Sequence, residues 1–226
     1  MVAQQFHEIE KRILDACIRS GRKPEDVTLI AVSKTKPVKM LAQAYEAGAR
    51  DFGENKVQEI LEKEPQLPGD IRWHMIGHLQ TNKVRQIVGR TCLIHSVDSV
   101  RLAQEIQKES AKKNLITDVL LEVNVAEEES KFGFRIEETE EALRQISRLS
   151  NVRVCGLMTI APFVSNAEEN RQVFRKLNEF YVDMKSKNID NVNMNVLSMG
   201  MTGDFEVAVE EGATMVRVGT GIFGAR

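Results

Sequence analysis

Nowhere in these 226 residues is there an apolar run long enough to cross a bilayer as a helix, and the opening Met1 to Lys11 is polar and charged. That opening has neither the apolar stretch nor the small-residue cleavage site of an export leader, so a cytoplasmic protein that contacts no membrane is expected. Cysteine is limited to Cys17, Cys92 and Cys155, an odd number set far apart with no second ligand at metal spacing. A disulfide framework is excluded, and three reduced core thiols are expected. His74 and His78 are separated by four, but Met75-Ile76-Gly77 between them reads as a strand end rather than a helix, which argues against a shared metal. Only five prolines occur, and no low-complexity stretch or block of like charge divides the chain. One domain over residues 1–226 is therefore expected. Aromatic residues make up 5% of the chain and the formal net charge is −2, with a pI near 6.2. Such a surface has neither the stacking platforms nor the basic footprint that nucleic acid requires.

What the chain does contain is alternation. After an amphipathic helix over about residues 4–20, apolar runs at 27–33, 50–54, 72–77, 92–97, 117–125, 152–160, 195–199 and 214–218 alternate with longer segments. In those segments, for instance 37–48, 99–113, 137–149 and 166–188, apolar residues recur at three and four spacing; Leu102, Ala103 and Ile106 mark one stripe. Repeated βα units imply a parallel sheet, and eight in this length favour an α/β fold closed as a single (β/α)8 TIM barrel. An open doubly wound sheet would carry a glycine-rich turn after the first strand. Here that turn is Ser33-Lys34-Thr35-Lys36-Pro37, without glycine.

Barrel chemistry gathers at the carboxyl ends of the strands. In order, those ends offer Lys34, Gly53-Glu54-Asn55, Gly77-His78, Ser96 and Asp98, Asn124, Met158-Thr159, Ser198, and Arg217 with Gly219-Thr220-Gly221. Lys34 closes the run Val27 to Ser33, where a buried strand meets its loop and desolvation favours the neutral, nucleophilic amine of a Schiff-base lysine. The alternative is a solvated loop lysine, since 31 Lys and Arg are spread over the chain and Lys36 lies two residues on. The endings Ser198-Met199-Gly200-Met201-Thr202-Gly203-Asp204 and Val218-Gly219-Thr220-Gly221-Ile222-Phe223-Gly224 place small residues and hydroxyls where barrels bind phosphate through backbone N–H groups. Two ordinary tight turns would read the same way if either stood alone. Arg217 sits in the apolar run Met215 to Val218 and needs a buried partner, either a cofactor ring nitrogen or a carboxylate such as Glu206 or Asp204 in a structural ion pair.

Taken in order, Ala31-Val32-Ser33-Lys34-Thr35-Lys36-Pro37, Phe52-Gly53-Glu54-Asn55, His74 to Lys83, Gly156-Leu157-Met158-Thr159, Leu197 to Met201 and Val216 to Thr220 strongly resemble the pyridoxal phosphate homeostasis protein family, end to end. The resemblance implies a barrel like the amino-terminal domain of alanine racemase, with pyridoxal 5′-phosphate (PLP) held as a Schiff base on Lys34. It implies Ser198, Gly219 and Thr220 as phosphate-binding residues, Arg217 near the pyridine nitrogen, and Asn55 beside the ring. A guanidinium at that nitrogen can only donate, which disfavours a protonated ring and weakens carbanion chemistry. Alanine racemase also uses a tyrosine from a second domain, for which no sequence follows the eighth strand here. Tyr45 and Tyr181 lie mid-helix by periodicity and are expected to pack or sit on helix surfaces. The resemblance thus implies a monomeric PLP carrier or regulator acting on vitamin B6 and amino-acid pools, with PLP-dependent apo-enzymes as possible recipients. The rival reading is a PLP-dependent racemase or decarboxylase with His78, Lys36 or Lys131 as second base. Lys131 resembles a loop lysine of the family, though it also reads as a solvated lysine balancing Glu127, Glu128 and Glu129. A cofactor-free lysine aldolase fits Lys34 but explains the phosphate-like ending less well.

Overall fold

Every apolar run named above forms a strand. In the computed structural model, which describes residues 1–128 and 132–225, these are β1 (Thr28–Val32), β2 (Asp51–Glu54), β3 (Arg72–Met75), β4 (Leu93–Val97), β5 (Thr117–Glu122), β6 (Val152–Met158), β7 (Val192–Met201) and β8 (Met215–Val218). Each pairs in parallel with the next, and β8 returns to β1 with Thr28 opposite Met215 and Ala31 opposite Val218, closing the barrel. The helices are α1 (Val2–Ser20), α2 (Val38–Glu46), α3 (Val57–Lys63), α4 (Val84–Ile87), α5 (Val100–Lys112), α6 (Ile136–Ile146), α7 (Arg171–Ser186), α8 (Phe205–Glu210) and α9 (Thr220–Phe223).

Side chains alternate across each strand, so one set meets the helices and the other fills the barrel. The main core lies outside the sheet, where Phe52, Leu41, Ile60, Leu102, Phe174 and Phe205 are all fully buried. The interior holds a smaller apolar group, Leu93, Leu120, Cys155 and Met158, and above it a layer that is polar. Local signals end the helices where the sequence asks: Gly21, at φ 67°, closes α1 with Arg22 N–H donating to the Cys17 carbonyl, and the Ser99 hydroxyl accepts Leu102 N–H at the start of α5. The expected helix 166–188 opens instead as a 3-10 turn, Ala167–Asn170, because the Asn166 side chain captures Glu168 N–H one turn early. Gly156 has φ 152°, and a Cβ there would overlap the Val196 carbonyl; the residue marks register shifts against both β5 and β7.

The run 117–125 leaves the sheet after Glu122, with Val123 making only a bridge to Phe134, whereas β7 is longer than 195–199 at both ends. Cys17 and Cys155 are buried as expected, but Cys92 is an exposed residue. It begins β4's approach at the amino end of the barrel, and its thiol turns inward to the Trp73 carbonyl, where burial pushes it up to about 12. No helix among the described residues is long and apolar enough to cross a membrane.

Candidate functional site

A cavity of about 530 Å³ opens at the carboxyl end of the barrel, its wall including Lys34, Asn55, Thr202, Arg217, Gly219 and Thr220. Lys34 and Arg217 are 183 positions apart in sequence and meet because β1 and β8 are neighbours.

Lys34 is half-buried in a turn closed by Lys36 N–H donating to the Ser33 carbonyl at 3.0 Å, with Thr35 in the left-handed region at φ 62°. A buried ionic cluster behind the sheet holds this turn. Lys63 Nζ donates to the Ser33 carbonyl at 2.9 Å and to Glu54 and Glu59, each at 2.7 Å. Glu59 also accepts Thr35 N–H at 2.7 Å, and the Ser33 hydroxyl donates to Glu54 at 2.6 Å. Glu54, expected in the ring at the barrel mouth, therefore faces outward. Burial pushes its carboxyl up to about 7 against the pull of Lys63 and Ser33. Asn55 continues the strand onto the cavity wall, and Gly77 packs against its backbone where no Cβ would fit.

Arg217 is 4% exposed and makes no contact with either carboxylate proposed for it. Glu206 pairs with Arg12 at 3.0 Å, and Asp204 accepts Met201 N–H and the Asn170 amide. The guanidinium instead donates to the Ser198 hydroxyl at 2.6 Å and the Thr159 carbonyl at 2.8 Å, and burial pushes it down to about 10. Ser198 is fully buried beneath the cavity, its hydroxyl shared between Arg217 and His95 Nδ1 at 3.0 Å. At the rim the Thr202 hydroxyl accepts Gly219 N–H at 3.3 Å and Gly221 N–H at 3.4 Å. The sequence offered Thr202 only as one of several hydroxyls in the phosphate-type ending; nothing in its spacing set it above Ser198.

The other candidates lie elsewhere. Lys36 Nζ donates to the carbonyls of Phe223, Gly224 and Ala225 at 2.9–3.2 Å, tying β1's loop to the end of α9. His78 Nδ1 pairs with Asp98 at 2.9 Å and its ring stacks on Phe132 at 3.9 Å, off the cavity wall. The Tyr181 hydroxyl donates to the Met194 carbonyl and that of Tyr45 to Asp70, so both tyrosines pack as expected. Lys131 lies outside the described residues. Among the described residues no group of three or more His, Cys, Asp or Glu side chains could hold a metal ion.

The family described as alanine racemase, N-terminal domain, matches residues 16–226. A pyridoxal phosphate homeostasis protein of Aquifex aeolicus is 46% identical over 99% of this chain and 97% of its own length. The chain belongs to the pyridoxal phosphate homeostasis protein family. The family member of Escherichia coli K12 is 36% identical over the whole chain and 97% of its own length. Among solved structures, PipY of Synechococcus elongatus PCC7942 with PLP bound superposes with a TM-score of 0.85 at 35% identity, covering 99% of this chain and 100% of that one. Alanine racemase of Corynebacterium glutamicum shares the fold at a TM-score of 0.77 but only 13% identity, and the chain spans 60% of it.

Proposed function

We propose that this chain, acting as one barrel unit, binds PLP reversibly and serves in PLP and amino-acid homeostasis. The observation that carries the reading is the pairing of Lys34 with Arg217 and the glycine ending in one cavity, in a family with a PLP-bound member. The residues fit the cofactor group by group. Lys34 would hold its aldehyde carbon covalently. Thr202, Gly219 and Thr220 would take the phosphate: the two glycine amides are occupied only by a hydroxyl at 3.3–3.4 Å, which an oxyanion would displace. Arg217 presents a donor-only group suited to an unprotonated ring nitrogen. Ser198 would act on the cofactor through Arg217, and Asn55 from the ring's side. When bound, PLP supplies an electron sink for amino-acid chemistry.

We further propose that turnover is weak and the protein monomeric. In support, Lys36 and His78, the described candidates for a second base, are engaged off the cavity wall, and the hydroxyls of Tyr45 and Tyr181 are held elsewhere by Asp70 and the Met194 carbonyl. PLP-dependent apo-enzymes are the proposed recipients of the bound cofactor. Titration with PLP tests the reading: the wild type should develop a visible band on binding, and Lys34→Ala should develop none while its far-ultraviolet circular dichroism stays unchanged. A retained covalent band would move the anchor to another lysine.

A further inference from the structure

The partner of Arg217 does not stop at Ser198. From the Ser198 hydroxyl the polar layer continues to His95 Nδ1 at 3.0 Å, from His95 Nε2 to His74 Nδ1 at 3.0 Å, and from His74 Nε2 to Asp51 Oδ1 at 3.0 Å. Asp51 is paired at its far side with Arg72. The chain crosses the barrel interior from β8 through β7, β4 and β3 to β2, and from Arg217 to Asp51 no member is more than 6% exposed.

Its direction is fixed from both ends. A guanidinium has only donors, so Ser198 Oγ accepts from Arg217, and since His95 Nδ1 is the other partner of that hydroxyl among the described residues, the hydroxyl proton goes to it. An ionised carboxylate has only acceptors, and Asp51 is held below the usual carboxylate range by its bonds to His74 and Arg72 despite burial. His74 must therefore carry its proton on Nε2 and receive His95 Nε2–H at Nδ1. Both rings are neutral with the same tautomer, and every donor finds an acceptor. Burial, with His74 and Arg217 nearby, drives His95 far below the usual histidine range, which keeps the imidazolium out. Cys92 Sγ, 3.4 Å from His74 Nε2, is a protonated thiol and adds no charge. Glu122 and Asp204 face Arg217 without touching it.

We propose that Asp51, His74 and His95 are positioning residues for Arg217, orienting its guanidinium toward the cavity floor and offsetting its buried charge from a distance. The remote carboxylate stabilises the guanidinium through polarised hydrogen bonds, while Asp204, the carboxylate on the cavity wall, is held by Met201 N–H and the Asn170 amide. The cavity then selects an aromatic nitrogen that accepts rather than donates. This rests on the PLP reading of the cavity.

Two measurements test it. Nitrogen-15 NMR of histidine-labelled protein without PLP should show the His74 and His95 rings both protonated on Nε2 and bare on Nδ1; a ring protonated on Nδ1 at either position overturns the chain. Binding is then compared for PLP and its 1-deaza analogue, in which the ring nitrogen is carbon. The wild type should prefer PLP, and His95→Leu should weaken PLP about 10-fold with little further loss for the analogue, His95→Gln recovering part of the preference. Equal losses for both ligands would make the chain structural only and overturn the positioning role. A wild type that binds neither ligand would defeat the cavity's reading and with it the selection of a ring nitrogen, while the nitrogen spectra would still decide the hydrogen-bond chain.

Discussion

Glu122 shows how much one side chain in the barrel interior can govern. Its carboxyl has no hydrogen-bond partner among the described residues, and burial, with Asp98 adding to it, pushes it up to about 7. The unfolded chain releases this proton near 4.5, so between about 4.5 and 7 the native state holds a proton that the unfolded state has lost. Stability must then fall as pH rises through that window. At about 1.4 kcal/mol per pK unit, the loss is roughly 3 kcal/mol, and Glu122→Gln should not suffer it. Urea denaturation of both proteins from pH 4.5 to 8 should show the variant gaining steadily on the wild type; a constant difference would mean that the carboxyl is solvated or paired. At this scale the sequence was only partly legible. Lys34 and Arg217 stood out because each interrupts an apolar run, but Glu122, His74 and His95 occur in strands whose inward face could not be told from composition. Ser198 and Thr202 are both hydroxyls in one glycine-rich ending, and only the end of β7 at Met201 leaves the first inside the barrel and the second in the turn at the rim.

At the scale of elements, β1 and β2 are locked to α3 by charge rather than by apolar packing alone. Lys63 is 6% exposed and makes three hydrogen bonds, two of them to carboxylates. Lys63→Met should cost about 3–5 kcal/mol, because Glu54 is left buried without its cation, and should loosen the Ser33–Lys36 turn that presents Lys34. The matching expectation is that PLP binding weakens in the variant even where it remains folded, measured by titration below its melting temperature; unchanged affinity would mean that the turn holds itself. The elements themselves were legible, because parallel strands buried on both faces produce continuous apolar runs and helices produce stripes. Their ends were not. Asn166 diverts the start of α7, and the shift at Gly156 depends on contacts with β7 some forty residues later.

For the whole molecule, closure is what makes the site. Joining β8 to β1 sets Lys34 beside Arg217 and Gly219, and Lys36 ties the same loop to the carbonyls after α9. A ligand that bridges these segments should stabilise the fold as a unit. With PLP at 100 times its Kd, linkage gives about 2.7 kcal/mol, or roughly 5–10 °C in Tm for a chain of this size, and Lys34→Ala should lose most of the shift at the same concentration. The eight-fold alternation made this closure legible as a barrel, and the ordered motifs made the family legible. The polar layer across the interior was not, since it joins residues of five strands that share no local pattern. The most direct measurement is borohydride reduction of the PLP-loaded protein followed by peptide mapping. Label fixed on the peptide carrying Lys34 is the expected result; label scattered over surface lysines, or none, would contradict a PLP site in this barrel.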